Sequence, residues 1–395
     1  MATNALKFID RAPVRGNTPP ASLCHFTTVH TSLKARSFHR ECMPLAAAGI
    51  DVRFVAPLKS AGPRDGVTLV RHARRATLFG RIAAIPGLLV KLLRQRAGVY
   101  HFQDPQLLPL ALALKLVFRK RVIYDAYEDF PSMAANKRSL PPLLRSFAAR
   151  IVASLESCAA RAFDGIVTAD PLTLRRLRQT GTSRKLVFYN FPNLDFFPPP
   201  RPCAKRFDVV YRGGISERAG IYDLLAAMEQ LAASGRPARL LLLGYFDNAA
   251  GEAAVRGRIR SLGLDARVEI RGRIDHENMA AALSEARVGV SPLRAVPKFL
   301  LNIPVKVFEY WACGLPVVST DLPPIRPFFR NDRSGLLVPP GDSASLVQAI
   351  ARLLDHPEEA SQMGALGREL IVERLNNARE VHKLRRFVAQ IAEAG

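Results

Sequence analysis

Residues 297–320 read PKFLLNIPVKVFEYWACGLPVVST, and this stretch decides the fold of the second half of the chain. Pro304 suits the first turn of a helix, and Gly314 suits the position just past a helix C-cap. These two residues therefore bound a predicted helix of about ten residues, which leads into the apolar, β-branched run VVST. A helix followed at once by such a strand is typical of a parallel sheet with crossover helices.

Polar side chains share one face of this predicted helix. They lie at positions i, i+3, i+4 and i+7, namely Lys306, Glu309, Tyr310 and Cys313. The residues between them are apolar and can pack into the core. A surface pair of Lys306 and Glu309 would stabilise the helix by only about 0.2–0.5 kcal/mol. In a ligand crevice, the carboxylate could instead accept two ribose hydroxyls while the lysine neutralises a phosphate.

The rest of the chain alternates apolar runs with helix-length segments. A proline-rich segment, 196–205 (FFPPPRPCAK), predicts a semi-rigid linker between two such series. Strands are predicted before it at 22–29, 51–56, 99–102, 121–124, 165–168 and 185–189, and after it at 208–211, 239–243, 267–270, 288–290, 316–319 and 335–338. The pattern predicts an α/β fold with two doubly wound, Rossmann-like domains, 1–200 and 201–375, and a last helix in 376–395 that could return to the first domain.

Positive charge is concentrated in the first half of the chain. The whole chain has a formal net charge of +23 and a pI near 10.5. Residues 1–203 carry a net charge of +19, with 31 Lys and Arg against 12 Asp and Glu, whereas residues 204–395 carry a net charge of +4. The first half is therefore expected to meet a polyanion, and nucleic acid, an anionic membrane leaflet and a lipid-phosphate substrate all fit. The apolar, basic stretch 78–96 suits either a membrane-surface helix or an ordinary core helix.

Several common signatures are absent from the sequence. It contains no P-loop, no Gly-x-Gly-x-x-Gly after the first strand, no Gly-x-Ser-x-Gly and no His-Glu-x-x-His. It also lacks an Asp-x-Asp motif, so we expect neither a metal nor another cofactor. The five cysteines lie far apart, which predicts buried thiols in a reducing cytosol. The longest apolar run is too short to cross a bilayer and no secretory signal is visible, so we expect a cytoplasmic protein.

The stretch FEYWACGLPVVST, residues 308–320, closely resembles the "second glutamate" helix of the retaining group-1 GT-B glycosyltransferases, in the position of Glu309. A first glutamate, which binds the donor sugar in that family, usually stands eight residues earlier, where this chain has Leu301. The local pattern N-x-P-x-K-x-FEY is similar to a branch of the family that replaces this glutamate. The resemblance therefore implies four donor-binding residues in this segment: Asn302, Lys306, Glu309 and Tyr310.

The resemblance extends over nearly the whole chain. Residues 209–228 (VVYRGGISERAGIYDLLAAM) are similar to the strand, glycine turn and helix beneath the donor diphosphate. This similarity implies that Gly213 and Gly214 approach the ligand, and that Arg218, in the first turn of the helix, meets the β-phosphate. Residues 267–283 (RVEIRGRIDHENMAAAL) resemble the strand and loop that hold the nucleobase. Backbone contacts are implied there for Arg271, Gly272, Arg273 and Ile274.

Two motifs in the first half also resemble motifs of the family. VYHFQDPQLLPLAL (99–112) and VIYDAYEDFP (122–131) more typically read H-x-H-D-P-E-L and Y-D-x-H-E-D. Gln103 and Gln106 stand where histidine and glutamate are common, and Tyr127 stands where a histidine lines the donor sugar. A phenol can donate a hydrogen bond but titrates near pH 10, so Tyr127 is a poor proton shuttle. The implied acceptor or cleft residues are His30, Arg36, Asp104, Glu128 and Asp129.

Together, these similarities imply transfer of a sugar from a nucleotide-sugar to the hydroxyl of a glycan or lipid-linked glycan, with retention of the anomeric configuration. Arg218 and Lys306 would stabilise the leaving diphosphate without a metal, and Tyr127 would orient the reactants. The alternatives are a catalytically impaired nucleotide-sugar-binding homologue, a nucleotide-sugar epimerase or, outside the fold, a nucleic-acid-binding protein. No nucleic-acid-binding module is recognisable. The expected partners are therefore the donor, the acceptor and an anionic membrane surface on which a cytoplasmic protein could lie peripherally.

Overall fold

The chain divides into two compact units in the computed structural model. The structure describes residues 22–29, 37–73, 77–135, 141–177, 184–329 and 333–394. The N-terminal unit consists of the described residues up to Asn190 together with those from Ala378 onward. The C-terminal unit runs from Phe191 to Asn377 and contains the proline-rich segment 196–205. Both units consist of parallel sheets with helices, so the predicted α/β fold class is confirmed.

The N-terminal unit has an eight-stranded sheet in the order β3-β4-β2-β1-β5-β6-β7-β8. Its strands are β1 (Ser22–Phe26), β2 (Asp51–Ala56), β3 (Gly62–Arg64), β4 (Val67–Arg71), β5 (Val99–Phe102), β6 (Arg121–Ala126), β7 (Gly165–Thr168) and β8 (Arg184–Val187). The β3–β4 pair is antiparallel and the other pairs are parallel. This hairpin was not predicted, although its turn residues Asp65 and Gly66 both have positive φ and form the Asp-Gly pair that favours a tight turn.

Helices cover both faces of this sheet. A π-helical segment, Ser37–Cys42, precedes the α-helices, which are α1 (Met43–Ala47), α2 (Leu78–Ala83), α3 (Ile85–Arg94), α4 (Leu108–Leu116), α5 (Phe130–Ala135), α6 (Pro142–Ala160) and α7 (Pro171–Leu177). Two groups of buried apolar side chains form the core. Leu88 and Leu92 of α3 belong to one of them, so the apolar side of the stretch 78–96 is largely a core-packing surface.

The C-terminal unit has a six-stranded parallel sheet in the order β11-β10-β9-β12-β13-β14. Its strands are β9 (Phe207–Ile215), β10 (Leu240–Phe246), β11 (Val268–Arg271), β12 (Ala286–Ser291), β13 (Val317–Thr320) and β14 (Leu336–Val338). Its helices are α8 (Ile221–Ala233), α9 (Ala249–Ser261), α10 (His276–Ser284), α11 (Pro297–Leu301), α12 (Val305–Ala312), α13 (Ser343–Asp355) and α14 (Pro357–Glu373). The strand order reverses between β9 and β12, and ligands of doubly wound sheets bind outside the carboxyl ends of the strands at such a reversal.

The last helix, α15 (Asn377–Glu393), packs against the sheet of the N-terminal unit. Its apolar side chains, including Leu384 and Ile391, are buried in the same core as residues of β1 and β2. A side chain at Gly165 would lie 2.5 Å from the Ile391 methyl group, so the close approach of α15 requires glycine there. The Tyr189 amide donates a 3.0 Å hydrogen bond to the Glu380 carboxylate, which fixes the start of the helix beside the end of β8.

Among the described helices, none combines the length and the apolar composition that crossing a membrane requires.

Candidate functional site

Helix α12 lies in the interior of the C-terminal unit. Pro304 is its N-cap, Cys313 its C-cap, and Gly314 follows with a φ of +68°, which a glycine adopts without strain. The helix is therefore eight residues long, and Pro304 precedes the first turn instead of lying in it. All residues from Lys306 to Ala312 are buried, because α12 packs between the sheet and α14. Both faces of the helix are thus enclosed, including the one that carries Lys306 and Glu309.

The Glu309 carboxylate is buried and lies beside an arginine at the end of β9. Its Oε2 atom is 3.1 Å from Nε of Arg212, whose side chain is about one quarter exposed. The surface pair with Lys306 is excluded, since Glu309 is fully buried and only 9% of Lys306 is exposed. Sequence reasoning missed Arg212. The sequence feature that could have identified it is a basic residue after an apolar run, directly before Gly213 and Gly214.

Lys306 extends its ammonium group toward the same strand end. Its Nζ atom lies 4.0 Å from the ring centroid of Tyr211, within cation–π distance. A side chain at Gly213 would approach Nζ to 3.2 Å, so the ammonium lies next to the glycine turn. The pKa of Lys306 is lowered to about 7, mainly by burial and also by the Arg212 charge, with Glu309 partly opposing both. The side chain consequently changes its charge near neutral pH.

Tyr310 holds the ends of the two strands that flank the reversal of strand order. Its hydroxyl accepts a hydrogen bond from the Arg212 amide at 2.8 Å and donates one to the Val290 carbonyl at 3.2 Å. A side chain at Gly289 would lie 2.4 Å from the Tyr310 ring, so the close contact between β12 and this ring requires glycine at position 289. Tyr310 therefore has a positioning role: it fixes the backbone of β9 at Arg212, directly before Gly213 and Gly214 in the same strand.

The side chain of Arg218 makes its contacts outside the cluster of Arg212, Lys306 and Glu309. It belongs to a 3-10 turn, Glu217–Ala219, that precedes α8, and so it is not in the first turn of that helix as predicted. Its guanidinium is half exposed and lies 2.9 Å from the Asp247 carboxylate. Gly220 caps α8 with a φ of +74° and leaves no room for a side chain, because a Cβ would overlap the Pro292 carbonyl.

The four predicted base-contacting residues divide into two groups. The Arg271 side chain is bonded to Glu285 at 2.6 and 2.9 Å and to Glu269, and hydrogen bonding to Glu285 raises its pKa above the ordinary value. It thus acts within the unit's own ion-pair network. Gly272 and Arg273 line a cavity of about 540 Å³. The other lining residues include Gly244, Tyr245, Asn248 and Glu252.

Within this cavity, the Arg273 guanidinium lies 4.1 Å from the ring centroid of Tyr245. An aromatic ring covered by a guanidinium is a flat, polar-edged surface against which a planar ligand can stack. Ile274 is half-buried just before α10, and Asn302 is half-buried between α11 and α12. The structure therefore brings together Arg212, Lys306, Glu309 and Tyr310 at one strand end, and Gly272 with Arg273 at the cavity.

In the N-terminal unit, Asp104 is buried and holds the segment that follows β1. Its carboxylate accepts hydrogen bonds from the Thr28 amide at 2.6 Å and from the hydroxyls of Thr27 and Thr28, both at 3.0 Å. The Gln106 side chain donates to the same Thr28 hydroxyl at 2.6 Å. Asp104 thus positions a loop within this unit. His30 and Arg36 lie outside the described residues.

Tyr127, Glu128 and Asp129 follow β6 and are all half-buried. The Tyr127 ring meets Phe130 edge-on, with ring centroids 5.7 Å apart. Asp129 accepts a hydrogen bond from the Ser132 hydroxyl, and its carboxylate is 3.9 Å from the Arg176 guanidinium. The three side chains are therefore adjacent at one strand end, as the motif predicts, while Asp129 also stabilises the start of α5.

Among the described residues, one buried group could hold a metal ion. It consists of His25, Glu41 and His101, whose possible ligand atoms all lie within 4.8 Å of one another. The Glu41 carboxylate is 3.7 Å from Nδ1 of His25 and 3.9 Å from Nδ1 of His101, distances that also suit buried ion pairs with protonated rings. Gln103 donates to the carboxylates of Glu41 and Asp125. Sequence reasoning missed this group because its members come from separate segments of the chain.

Two doubly wound, largely parallel sheets are the architecture of the GT-B fold. A sucrose-phosphate synthase from Thermosynechococcus elongatus has this fold, with a TM-score of 0.74 and 21% identity over 95% of this chain and 100% of that one. Anabaena Alr3699/HepE, solved with UDP, matches with a TM-score of 0.69 and 16% identity over 94% of this chain and 100% of that one.

Residues 206–356 match the family described as "Glycosyl transferases group 1". The relatives include a phosphatidyl-myo-inositol mannosyltransferase from Mycobacterium leprae, 30% identical over 41% of this chain and 41% of that protein. An amylovoran biosynthesis glycosyltransferase, AmsK from Erwinia amylovora, is 24% identical over 60% of this chain and 52% of that protein. The matches thus span about half of these relatives or less. For residues 206–356 they support the resemblance read from residues 308–320, and the solved structures show that the chain has the GT-B fold.

Proposed function

We propose that this protein transfers a sugar from a nucleotide-sugar to an acceptor hydroxyl with retention of anomeric configuration. The observation that carries the proposal is the cluster of Arg212, Lys306 and Glu309 at the end of β9, where the strand order reverses. A buried carboxylate beside two cations suits a ligand that has both hydroxyls and phosphates. The solved complexes of the Anabaena protein with UDP and with UDP-glucose support a nucleotide-sugar as this ligand.

In the proposed complex, Glu309 accepts hydrogen bonds from two ribose hydroxyls. Lys306 and Arg218 neutralise the diphosphate, and the backbone of residues 271–274 contacts the base. Charge that develops on the leaving diphosphate is stabilised by these cations and by the N-terminus of α8, so that no metal is needed. The departing diphosphate itself takes the proton of the acceptor hydroxyl. Tyr127 orients the reactants by position and hydrogen bonding.

The acceptor is a glycan or a lipid-linked glycan in this proposal, and the N-terminal unit binds it. Residues 1–203 carry a net charge of +19, which favours an acceptor that carries phosphate. The same charge favours peripheral attachment to the cytoplasmic, anionic face of a membrane, where each nearby basic residue contributes about 1 kcal/mol. A place in polysaccharide biosynthesis would agree with the name of the amylovoran relative.

Thermal denaturation with a panel of nucleotide-sugars tests the donor part of the proposal, because a ligand stabilises only the state that binds it. The hit is then offered to phosphorylated and neutral glycan acceptors, and the product linkage is read by NMR. Transfer with retention is the expected result. Stabilisation without transfer would favour the impaired homologue, and conversion of the donor sugar without an acceptor would favour the epimerase.

Glu358→Ala serves as a matched control for Glu309→Ala, since Glu358 is exposed at the start of α14, outside the cluster. The control should keep the ligand-induced shift of the midpoint that Glu309→Ala loses. If no nucleotide-sugar shifts the midpoint of the wild-type protein, the proposed function is wrong.

A further inference from the structure

Helix α6 of the N-terminal unit presents an apolar stripe to solvent. Its members lie at i, i+3, i+7 and i+11, a spacing that places them on one helix face: Leu144, Phe147, Ile151 and Leu155. Between 42% and 62% of each side chain is exposed. The stripe extends for about 16 Å at the helical rise of about 1.5 Å per residue. Single exposed apolar residues are ordinary, but an aligned row of four is typical of an interaction surface.

The orientation of α6 is fixed by the side chains that it buries. Ala159 and Ala160 are buried in the core, and Glu156 is buried where it accepts a 2.7 Å hydrogen bond from the Tyr124 hydroxyl. Arg176 lies 2.6 Å from the other oxygen of Glu156. Rotating the helix to hide the stripe would expose these alanines and break a buried ion pair. The stripe is therefore on the solvent side because the core requires it.

Among the described residues of α6 and its C-cap, the exposed charged side chains are arginines. Arg150 and Arg161 are exposed and flank the stripe on one side, as the 100° helical step places them. Glu156, the single acidic residue in the sequence of α6, is turned into the core. The end of α4, which packs against α6, continues the pattern with exposed Val117 followed by the cations Arg119 and Lys120.

We propose that the α6 face, defined here as Leu144, Phe147, Ile151 and Leu155 with Arg150 and Arg161, docks on an anionic phospholipid bilayer. An apolar row flanked by basic side chains is the arrangement of helices that lie in the membrane interface, where the row enters the acyl boundary and the cations meet lipid phosphates. The inference deepens the proposed membrane attachment by naming its surface. It does not depend on the donor site, so either can fail alone.

The α6 face also replaces the stretch 78–96 as the docking surface. Leu88 and Leu92 of that stretch are buried in the core, and its exposed large apolar side chains, among those that the structure describes, are Phe79 and Val90. These two lie on separate helices, α2 and α3, and do not form a row on one helix face. The two surfaces can therefore be separated by matched substitutions.

Vesicle flotation of the full-length protein tests the docking surface. Vesicles of phosphatidylglycerol with phosphatidylcholine should bind the protein, and added salt should weaken binding because the charges are solvent-exposed. Phe147→Glu combined with Leu155→Glu should lower the partition coefficient at least tenfold. Phe79→Glu, which changes an even more exposed phenylalanine outside the face, should leave it within twofold.

A second readout uses two exposed cysteines of the chain. Cys158 lies at i+14 from Leu144 and thus at the end of the α6 face, whereas Cys203 is exposed in the C-terminal unit. The other three thiols are buried. An environment-sensitive dye on Cys158, in Cys203→Ser, should shift to the blue on acidic vesicles. The same dye on Cys203, in Cys158→Ser, should not.

Circular dichroism and the thermal midpoint show whether each variant is folded. Wild-type protein that stays off acidic vesicles overturns the proposal, as does a Phe147/Leu155 double variant that is folded and partitions normally. Self-association of the wild type that the double variant abolishes, measured by sedimentation, would instead assign the α6 face to a second copy of the chain.

Discussion

Binding of the donor should be coupled to uptake of a proton by Lys306. In the ligand-free protein, burial and the Arg212 charge lower the pKa of this side chain to about 7, from an ordinary value of 10.5. A diphosphate placed at the ammonium would favour the charged form and raise the pKa again. At a pH between the pKa of Lys306 in the ligand-free protein and its pKa in the complex, the protein must acquire a proton when it binds the donor. Lys306→Met, which keeps most of the side-chain volume, removes this coupling.

The expected magnitude follows from the two pKa values. At pH 8, about nine tenths of the free Lys306 side chains are neutral, so binding should take up about 0.9 proton if the ordinary pKa is restored. Affinity should then fall by up to about tenfold per pH unit above pH 7, or about 1.4 kcal/mol per unit. Isothermal titration calorimetry in two buffers with different ionisation enthalpies measures the proton uptake directly. A nucleotide-sugar is the suitable ligand because its diphosphate diester does not titrate in this range.

Uptake near zero in the wild type, or equal uptake in Lys306→Met, would refute the reasoning. The stability of the ligand-free protein supplies an independent check of sign. Below pH 7, Lys306 is protonated in both states and the full cost of burying the charge is present, at most about 5 kcal/mol. Between pH 7 and 10.5 the unfolded chain binds more protons, so this cost falls as the pH rises. Lys306→Met should therefore raise the thermal midpoint more at pH 6 than at pH 10.

Three further predictions concern the proposed transfer. Glu309→Ala should weaken donor binding at least tenfold, or about 1.4 kcal/mol, in calorimetric titrations, and unchanged affinity in a folded variant would contradict the assignment. Tyr127→Phe should lower turnover about tenfold while Tyr127→Ala costs more, since a neutral phenol acts by position; complete loss of transfer with donor binding intact would show that the phenol is chemically essential. Transfer in the presence of a chelator should equal the untreated rate, and a loss that magnesium or manganese restores would count against metal-independent chemistry.

Much of the fold could be predicted from local pattern. Apolar, β-branched runs located the long parallel strands, because strands buried on both faces are nearly continuous in apolar residues. The β3–β4 hairpin was missed: Gly62–Arg64 contains no such run, and the short apolar run of β4, Val67–Arg71, was not recognised as a strand. Helix α12 was located by Pro304 and Gly314, but its spacing could not show that the polar side is buried too. Helical period reports which residues share a face, and the elements packed around the helix decide whether that face meets water.

The candidate site was less accessible to sequence reasoning. Glu309 and Lys306 were named, but the partner of the carboxylate, Arg212, lies 97 positions away along the chain and meets it only through the strand order. The same limit affected Asp104, whose hydrogen bonds to Thr27 and Thr28 give it a role inside the unit. Residue type and motif indicate which groups can act. Tertiary contacts determine which of these groups are already hydrogen-bonded or ion-paired within the protein.

Because α15 completes the N-terminal unit, that unit is assembled from two segments of the chain, one before and one after residues Phe191–Asn377 of the C-terminal unit. During synthesis, the sheet face beneath α15 stays uncovered until α15 has left the ribosome, and Phe191–Asn377 are made before it. Vectorial folding, in which the first domain finishes first, is thus reversed here. A variant truncated after residue 377 should keep a folded C-terminal unit and expose the apolar sheet surface around Gly165 that α15 covers. Binding of a hydrophobic dye and early proteolysis within the residues up to Asn190 would detect this exposure.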